Sequence, residues 1–381
     1  MKARLGDYIR EYSVRNKSEE DIPVYSVTNT QGFCQDCFGK EVASKDKSTY
    51  KIVPRGHFAY NPSRINVGSV DWQRYEDSVI VSPLYNVFSV TPELDQQYLF
   101  YYLKSDFALQ RIKAVARGSV RDNLRLEMLY EFPIRIPSIS EQKDIAGKLD
   151  KVKQILALRE QELSSLDNVI KARFVEMFGD MLINPKGFPE KRLDSLADIV
   201  SGITKGRKVK TSELYEVPYM AVSNVKDGYI DWTTIKTIMA TEGEIDQYRL
   251  LPDDVLMTEG GDPDKLGRGA IIHEPPQDCI HQNHIFRVRL KQDVLLSVYM
   301  VQYLQQQKAK RYFLGCAKQT TGIASINMRQ LSALPVLVPP MKKQEEYAAL
   351  VAQVDKSKAV VQKALDEAQV LFDSLMQQYF G

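Results

Sequence analysis

From Ser140 to Phe178 the chain has no proline and one glycine, Gly147, and its apolar residues return every seven positions. One column reads Leu149, Leu156, Leu163, Ile170, Met177, and its companion reads Ile145, Val152, Arg159, Leu166, Arg173. Near the other end of the sequence the same two columns reappear as Val351, Lys358, Leu365, Phe372, Tyr379 and Tyr347, Val354, Val361, Ala368, Leu375. A stripe of this period predicts two long helices that pair with each other as a coiled coil. Arg159, Arg173 and Lys358 interrupt the seam, where long side chains set register or reach out along their aliphatic stems. About 38 helical residues make a rod of roughly 57 Å.

The recurrence reaches beyond the helices. "IRIPSISEQKDI" (Ile134–Ile145) returns as "VLVPPMKKQEEY" (Val336–Tyr347), with Gln142 meeting Gln344 at an offset of 202 positions. Phe178-Gly179 meets Phe380-Gly381 at the same offset. With small slips, "NVFSV" (Asn86–Val90) faces "HIFRV" (His284–Val288), and "IPVYSVTN" (Ile22–Asn29) faces "VPYMAVSN" (Val217–Asn224). The period is far too long for a solenoid, so a domain pair is duplicated. Short β-rich runs such as "DSVIVS" (Asp77–Ser82) lie between turn residues, and one amphipathic helix is expected near Asp95–Ala116 and another near Leu295–Leu314. The expected fold is α+β. Two mixed α/β domains, 1–137 and 185–338, are separated by two long antiparallel coiled-coil helices, 138–184 and 339–381, in a pseudo-twofold tandem repeat. "NPKGFP" (Asn184–Pro189) reads as the linker after the first helix.

Composition adds limits. The 381 residues are 44% hydrophobic and 26% charged, which is the balance of a folded soluble chain. No apolar run is long enough to span a bilayer, and "MKARLGDYIREYS" has no signal-peptide core. Four cysteines in this length fit a reducing compartment, so a cytoplasmic location is expected. The net charge of +2 neither suggests nor excludes nucleic acid, because local patches matter more than the total.

Two unlike modules on two helical spacers, with "FPIRIP" (Phe132–Pro137) and "LPVLVPP" (Leu334–Pro340) each leading into a helix, resemble the specificity subunit of Type I restriction–modification systems. The resemblance covers essentially the whole chain. It implies that each module is a target-recognition domain reading one half of a split DNA sequence, and that the helices set the spacing. It also implies partners: double-stranded DNA, two adenine methyltransferase subunits docked on the helices, and motor–nuclease subunits in a full system. "YNPSRINVGS" (Tyr60–Ser69) and "TEGGDPDKLGRGA" (Thr258–Ala270) look like patterns of such domains.

Side chains suited to reading DNA cluster in both modules. In the first, Asn61, Ser63, Arg64, Asn66 and Ser69 sit in a proline- and glycine-bearing stretch; arginine forks onto guanine and asparagine pairs with adenine. "ARGSVRDNLR" adds Arg117, Ser119 and Arg121, expected near phosphates. In the second, the glycines around Gly260 permit close backbone approach, beside Asp262, Lys265 and Arg268. Gln282, Asn283 and His284 open a β-rich run. Lys318, Gln319 and Thr320 occupy the place that "ARGSVR" holds in the first copy, and Lys205, Arg207 and Lys208 form a basic stretch. Each set also reads as ordinary solvated surface.

Signals for catalysis are weak. No Asn/Asp-Pro-Pro-aromatic motif, glycine-rich cofactor loop or Walker A sequence appears, so no cofactor is expected. "EQK" (Glu141–Lys143) resembles part of a nuclease site but lacks an upstream acidic partner. Cys34 and Cys37 form a C-x-x-C without a second pair nearby. Two further readings compete: an adaptor whose helices bind proteins and whose modules bind no DNA, and a metal-dependent enzyme built on Cys279, His281, His284 and Asp262.

Overall fold

The computed structural model describes residues 2–18, 20–35, 46–116, 123–209, 213–262, 266–320 and 323–381. They form two compact units. Unit 1 is Met1–Gln161 with Gln362–Gly381, and unit 2 is Glu162–Val361.

The core sheet of unit 1 is antiparallel and built from β1 (Ile9–Glu11), β2 (Phe58–Tyr60), β3 (Val70–Trp72) and β4 (Asn86–Val90), in the order β1-β4-β2-β3. In unit 2, β5 (Ala197–Ser201), β6 (Val255–Thr258), β7 (Gly269–Ile271) and β8 (Ile285–Leu290) repeat that plan in the order β5-β8-β6-β7. The ends of each module also meet in the same way. Lys2–Arg4 pairs antiparallel with Pro133–Arg135, and Glu190–Arg192 with Pro335–Leu337.

Where one amphipathic helix was expected in each module, two occur. Unit 1 has α1 (Gln96–Lys104) and α2 (Asp106–Val115). The break falls at Ser105, which is extended; its hydroxyl accepts from the Ala108 N–H and donates to the Tyr102 carbonyl, so it caps the second helix instead of continuing the first. The heptad pattern continues through α3 (Ile139–Phe178), which ends at Gly179 with φ of 80°. Unit 2 has α4 (Ser297–Leu304) and α5 (Gln307–Cys316), followed by α6 (Met341–Phe380).

Both long helices bury the predicted stripe. In unit 1, Leu149 and Val152 are buried and Leu156 half-buried on α3, while Leu365, Phe372 and Leu375 are half-buried on α6. The core joins Ile145, Ala146 and Leu149 to Phe372, Leu375 and Phe380. In unit 2, Leu163, Leu166 and Ile170 are half-buried on α3, opposite half-buried Val351 and buried Val354 and Val361 on α6. Phe174 and Phe178 stack edge-on against Tyr347, at 5.4 and 5.6 Å between centroids. Lys358, one of the seam's interruptions, reaches Asp167 at 2.7 Å, and Arg173 turns to Glu176 on its own helix at 2.6 Å. The start of one helix thus lies against the end of the other within each unit, an antiparallel pairing.

Candidate nucleic-acid interface

"NPSRINVGS" and "EGGDPDKLGRG" fall at one topological position, the first joining β2 to β3 and the second β6 to β7. In unit 1 the loop is a folded object. The Asn61 carboxamide oxygen accepts from the Ser63 amide and hydroxyl at 3.1 and 2.9 Å, which is an Asx turn. A single 3-10 turn, Ile65–Val67, is pinned by buried Ile65. Ser63 and Arg64 are exposed, Asn61 and Asn66 half-buried, and Ser69 buried. The Arg64 backbone is held by Asn61, Val67 and Ser69, but its side chain makes no hydrogen bond or ion pair among the described residues, so its guanidinium is available. With Asn61 and Ser69 it lines a cavity of about 370 Å³ whose other walls include Tyr25, Asn29 and Ser82.

Arg117, Ser119 and Arg121 lie outside the described residues, but the chain on either side of them is fixed. The Asn123 N–H donates to the Ala116 carbonyl, and the Leu124 N–H donates to the Pro62 carbonyl. The Tyr60 hydroxyl holds the Leu124 carbonyl at 3.1 Å and accepts from Asn86. The two candidate stretches of this module are therefore rooted side by side.

Unit 2 brings its stretches together differently. Gly260 and Gly261 pair with Ser325 and Ala324, in a hairpin that also contains Lys318–Thr320. His284 joins the same group: its ring is 2.6 Å from the Glu259 carboxylate, and its carbonyl accepts from the Glu259 N–H. Gln282 and Asn283 form the turn before β8, where the Asn283 carbonyl accepts from Ser201. Ile203 bridges Gln282 and leads into exposed Lys205 and Lys208. Arg207 is half-buried and committed elsewhere, to Glu244 and the Met239 carbonyl; hydrogen bonding from its guanidinium pulls the Glu244 carboxyl down to about 2. Asp262 is exposed and Arg268 half-buried, while Lys265 lies outside the described residues. Gly267 fits tightly on the Phe313 ring of α5.

The residues of the metal reading are occupied otherwise. His281 is fully buried between the carbonyls of Tyr248 (3.0 Å) and Val200 (3.3 Å), and burial lowers its pKa to about 4 despite those two acceptors. Burial also pushes the Cys279 thiol up to about 12. Among the described residues no three His, Cys, Asp or Glu side chains converge to hold a metal ion. Cys37 lies outside them. "EQK" has a structural use: Gln142 is buried and bonded to three backbone groups.

Two like sheets with unlike loops agree with the comparison to known families. A family model described as the Type I restriction modification DNA specificity domain matches residues 6–168 and again residues 185–369. The chain belongs to this family.

Members named specificity subunits are distant relatives. The Type I restriction enzyme EcoKI specificity subunit of Escherichia coli K12 is 23% identical over 293 residues, 74% of this chain and 63% of that protein. The StySPI specificity subunit of Salmonella potsdam is 22% identical over 388 residues, 97% of this chain and 83% of that one. Among solved structures, a chain from work on complex assembly and conformational transition of the type I R-M system gives a TM-score of 0.60 at 18% identity, covering 100% of this chain and 97% of that one. The S subunit from M. genitalium gives 0.56 at 16% identity, covering 100% and 96%. Both structures share the fold. The chain is thus a specificity-subunit family member that carries the family's domain twice. No helix among the described residues is long and apolar enough to cross a membrane.

One feature of unit 1 has no signal in the sequence. Arg74, Lys104 and Lys153 all approach the Phe100 ring, at 5.7, 5.1 and 5.5 Å from its centroid. They come from the stretch after β3, the end of α1 and the side of α3, and no spacing rule links them.

Proposed function

We propose that the chain reads a bipartite, asymmetric DNA site, one half with each target-recognition domain, and carries no catalysis of its own. Residues 1–137 and 185–338 are the two reading domains; residues 138–184 and 339–381 are spacers that dock two adenine methyltransferase subunits and, in a full system, motor–nuclease subunits. Catalysis then resides in those partners.

The observation that carries this reading is the contrast between equivalent loops. At one position of one sheet plan stand Asn61, Ser63 and Arg64 in the first domain and Gly260, Gly261 and Asp262 in the second. An arginine fork suits guanine, whereas a glycine pair lets backbone approach a base edge. Domains with the same frame and different contact chemistry suit two different half-sites. Methylome sequencing of a host carrying the chain and its methyltransferase tests this. A split motif with unlike halves is expected; a palindromic motif, or none that depends on the chain, overturns it.

A further inference from the structure

We infer that Arg74, Lys104 and Lys153 form a phosphate clamp for the DNA backbone beside the first half-site. The inference rests on the DNA-reading role above and adds a part to it: a surface that positions the duplex without reading sequence.

The argument begins with charge. Three cations share the surroundings of one aromatic ring, and Phe100 is buried, with 6% of its surface exposed. Cation–ring attraction offsets some of the repulsion among them. Carboxylates offset only part of the rest: Asp150, one turn before Lys153 on α3, is held by Gln97 and the Tyr101 hydroxyl. Arg74 is paired with Asp71, but that carboxylate also accepts from the backbone amides of Phe33 and Trp72. Lys104 donates to a neutral acceptor, the Asn29 carbonyl, at 2.9 Å. Lys153 is exposed, and its ammonium has no hydrogen bond or ion pair among the described residues. Burial lowers the pKa of Lys104; Asp71 opposes the shift, and the charges of Lys153 and Arg74 add to it. Positive charge in excess of its counter-charge is thus gathered at one place, and an anion would relieve it.

Position identifies the anion. Asn29, which holds Lys104, lines the same cavity as Arg64, and Gly68 of the reading loop lies against the Lys104 side chain. The cations therefore flank the group suited to a base edge, where the sugar–phosphate strand of a bound duplex runs. The second domain has Val301, Gln305 and Asp355 at the positions matching Phe100, Lys104 and Lys153, so the clamp belongs to the first half-site alone.

The test uses the full chain assembled with its methyltransferase, and duplexes with and without the site found by methylome sequencing. Binding is measured from 50 to 200 mM salt for wild type, R74Q, K104Q, K153Q and K153R. Each phosphate contact adds about 0.9 to the slope of log affinity against log salt. Each Gln variant should therefore lose about three- to fourfold less affinity than wild type across that range. It should also bind specific and unrelated duplexes more weakly by the same factor, while K153R keeps the wild-type slope. Unchanged slopes in K104Q and K153Q, with wild type still site-specific, overturn the clamp and leave the DNA-reading role standing. Loss of methyltransferase from the K153Q assembly, seen by size-exclusion chromatography, assigns the patch to a protein partner and also overturns it. A wild-type assembly that binds all duplexes alike removes the reading role and the clamp together.

Discussion

Gln142 and Gln344 make the same three hydrogen bonds in the two halves of the chain. The Gln142 carboxamide accepts from the Asp95 N–H (2.8 Å) and donates to the carbonyls of Glu93 (2.8 Å) and Pro137 (2.9 Å). The Gln344 carboxamide accepts from the Leu296 N–H (2.9 Å) and donates to the carbonyls of Val294 (3.1 Å) and Pro339 (2.8 Å). Both side chains are fully buried. Each ties the first turn of a long helix to the N-terminus of the short helix pair in its recognition domain. Replacing Gln142 by Ala strands a donor and two acceptors, and a buried unsatisfied group costs about 1–3 kcal/mol. We expect Q142A to lower the stability of unit 1 by roughly 2–4 kcal/mol and to leave unit 2 unchanged. Trp72 and Trp232 lie one in each unit, so denaturant curves followed by fluorescence of single-tryptophan variants separate the two. Q142E should do at least as much damage, because a carboxylate accepts from Asp95 but has no hydrogen for the two carbonyls.

Unit 2 should weaken in mild acid through His281. In the unfolded chain the imidazole binds a proton near its ordinary 6.5, whereas burial holds the folded value at about 4. The depressed value favours the neutral ring, so this contribution is complete above about pH 6.5 and declines as the pH falls toward 4. The decline is about 1.4 kcal/mol per pH unit, roughly 3 kcal/mol in all. Comparing unfolding midpoints at pH 7 and pH 5 for wild type and H281Q checks this; the variant should show the smaller difference.

Arg64 should govern one base pair. Replacing it with Ala or Lys removes a two-pronged donor and should cost about 1–3 kcal/mol, roughly fivefold to 150-fold, at one guanine of the first half-site. Competition binding against duplexes altered at single positions reads this out. A uniform loss across all positions would make Arg64 a backbone contact.

Gly267 should resist substitution more than Gly206. Both have left-handed backbones, with φ of 76° and 78°, which cost a side chain about 1–2 kcal/mol. A Cβ at Gly206 meets nothing within 4 Å, but one at Gly267 would lie 2.2 Å from a carbon of the Phe313 ring. G267A should therefore destabilise unit 2 by about 1–3 kcal/mol more than G206A, measured by the Trp232 signal.

The helices were legible because a seven-residue period survives three polar interruptions. Every seam position from Ile145 to Tyr379 is buried or half-buried, including Arg159, Arg173 and Lys358. The duplication was legible from "PSISEQ" and "PPMKKQ", although the reason for the glutamine was not, since its three partners lie on other segments. The helix break at Ser105 was missed because the apolar residues on both sides keep a helical rhythm, and only the Ser105 hydroxyl marks the stop. Of the site, the sequence placed the loops but not their surroundings. Arg207 looked as free as Lys205 until Glu244, far along the chain, was seen beside it. Arg74, Lys104 and Lys153 were unremarkable singly and meet only because Phe100 gathers them.

The core of unit 1 has a consequence for synthesis. Phe380 packs against Tyr98 and Tyr102, and Phe372 against Tyr101. While the ribosome is still producing residues 162–361, the faces of those tyrosines that Phe372 and Phe380 cover lack that cover. Unit 2, drawn from one unbroken stretch, has all its parts earlier. The domain translated first is therefore the later to mature, and in the interval its uncovered aromatic surface is a target for chaperones or for the same surface on a neighbouring nascent chain.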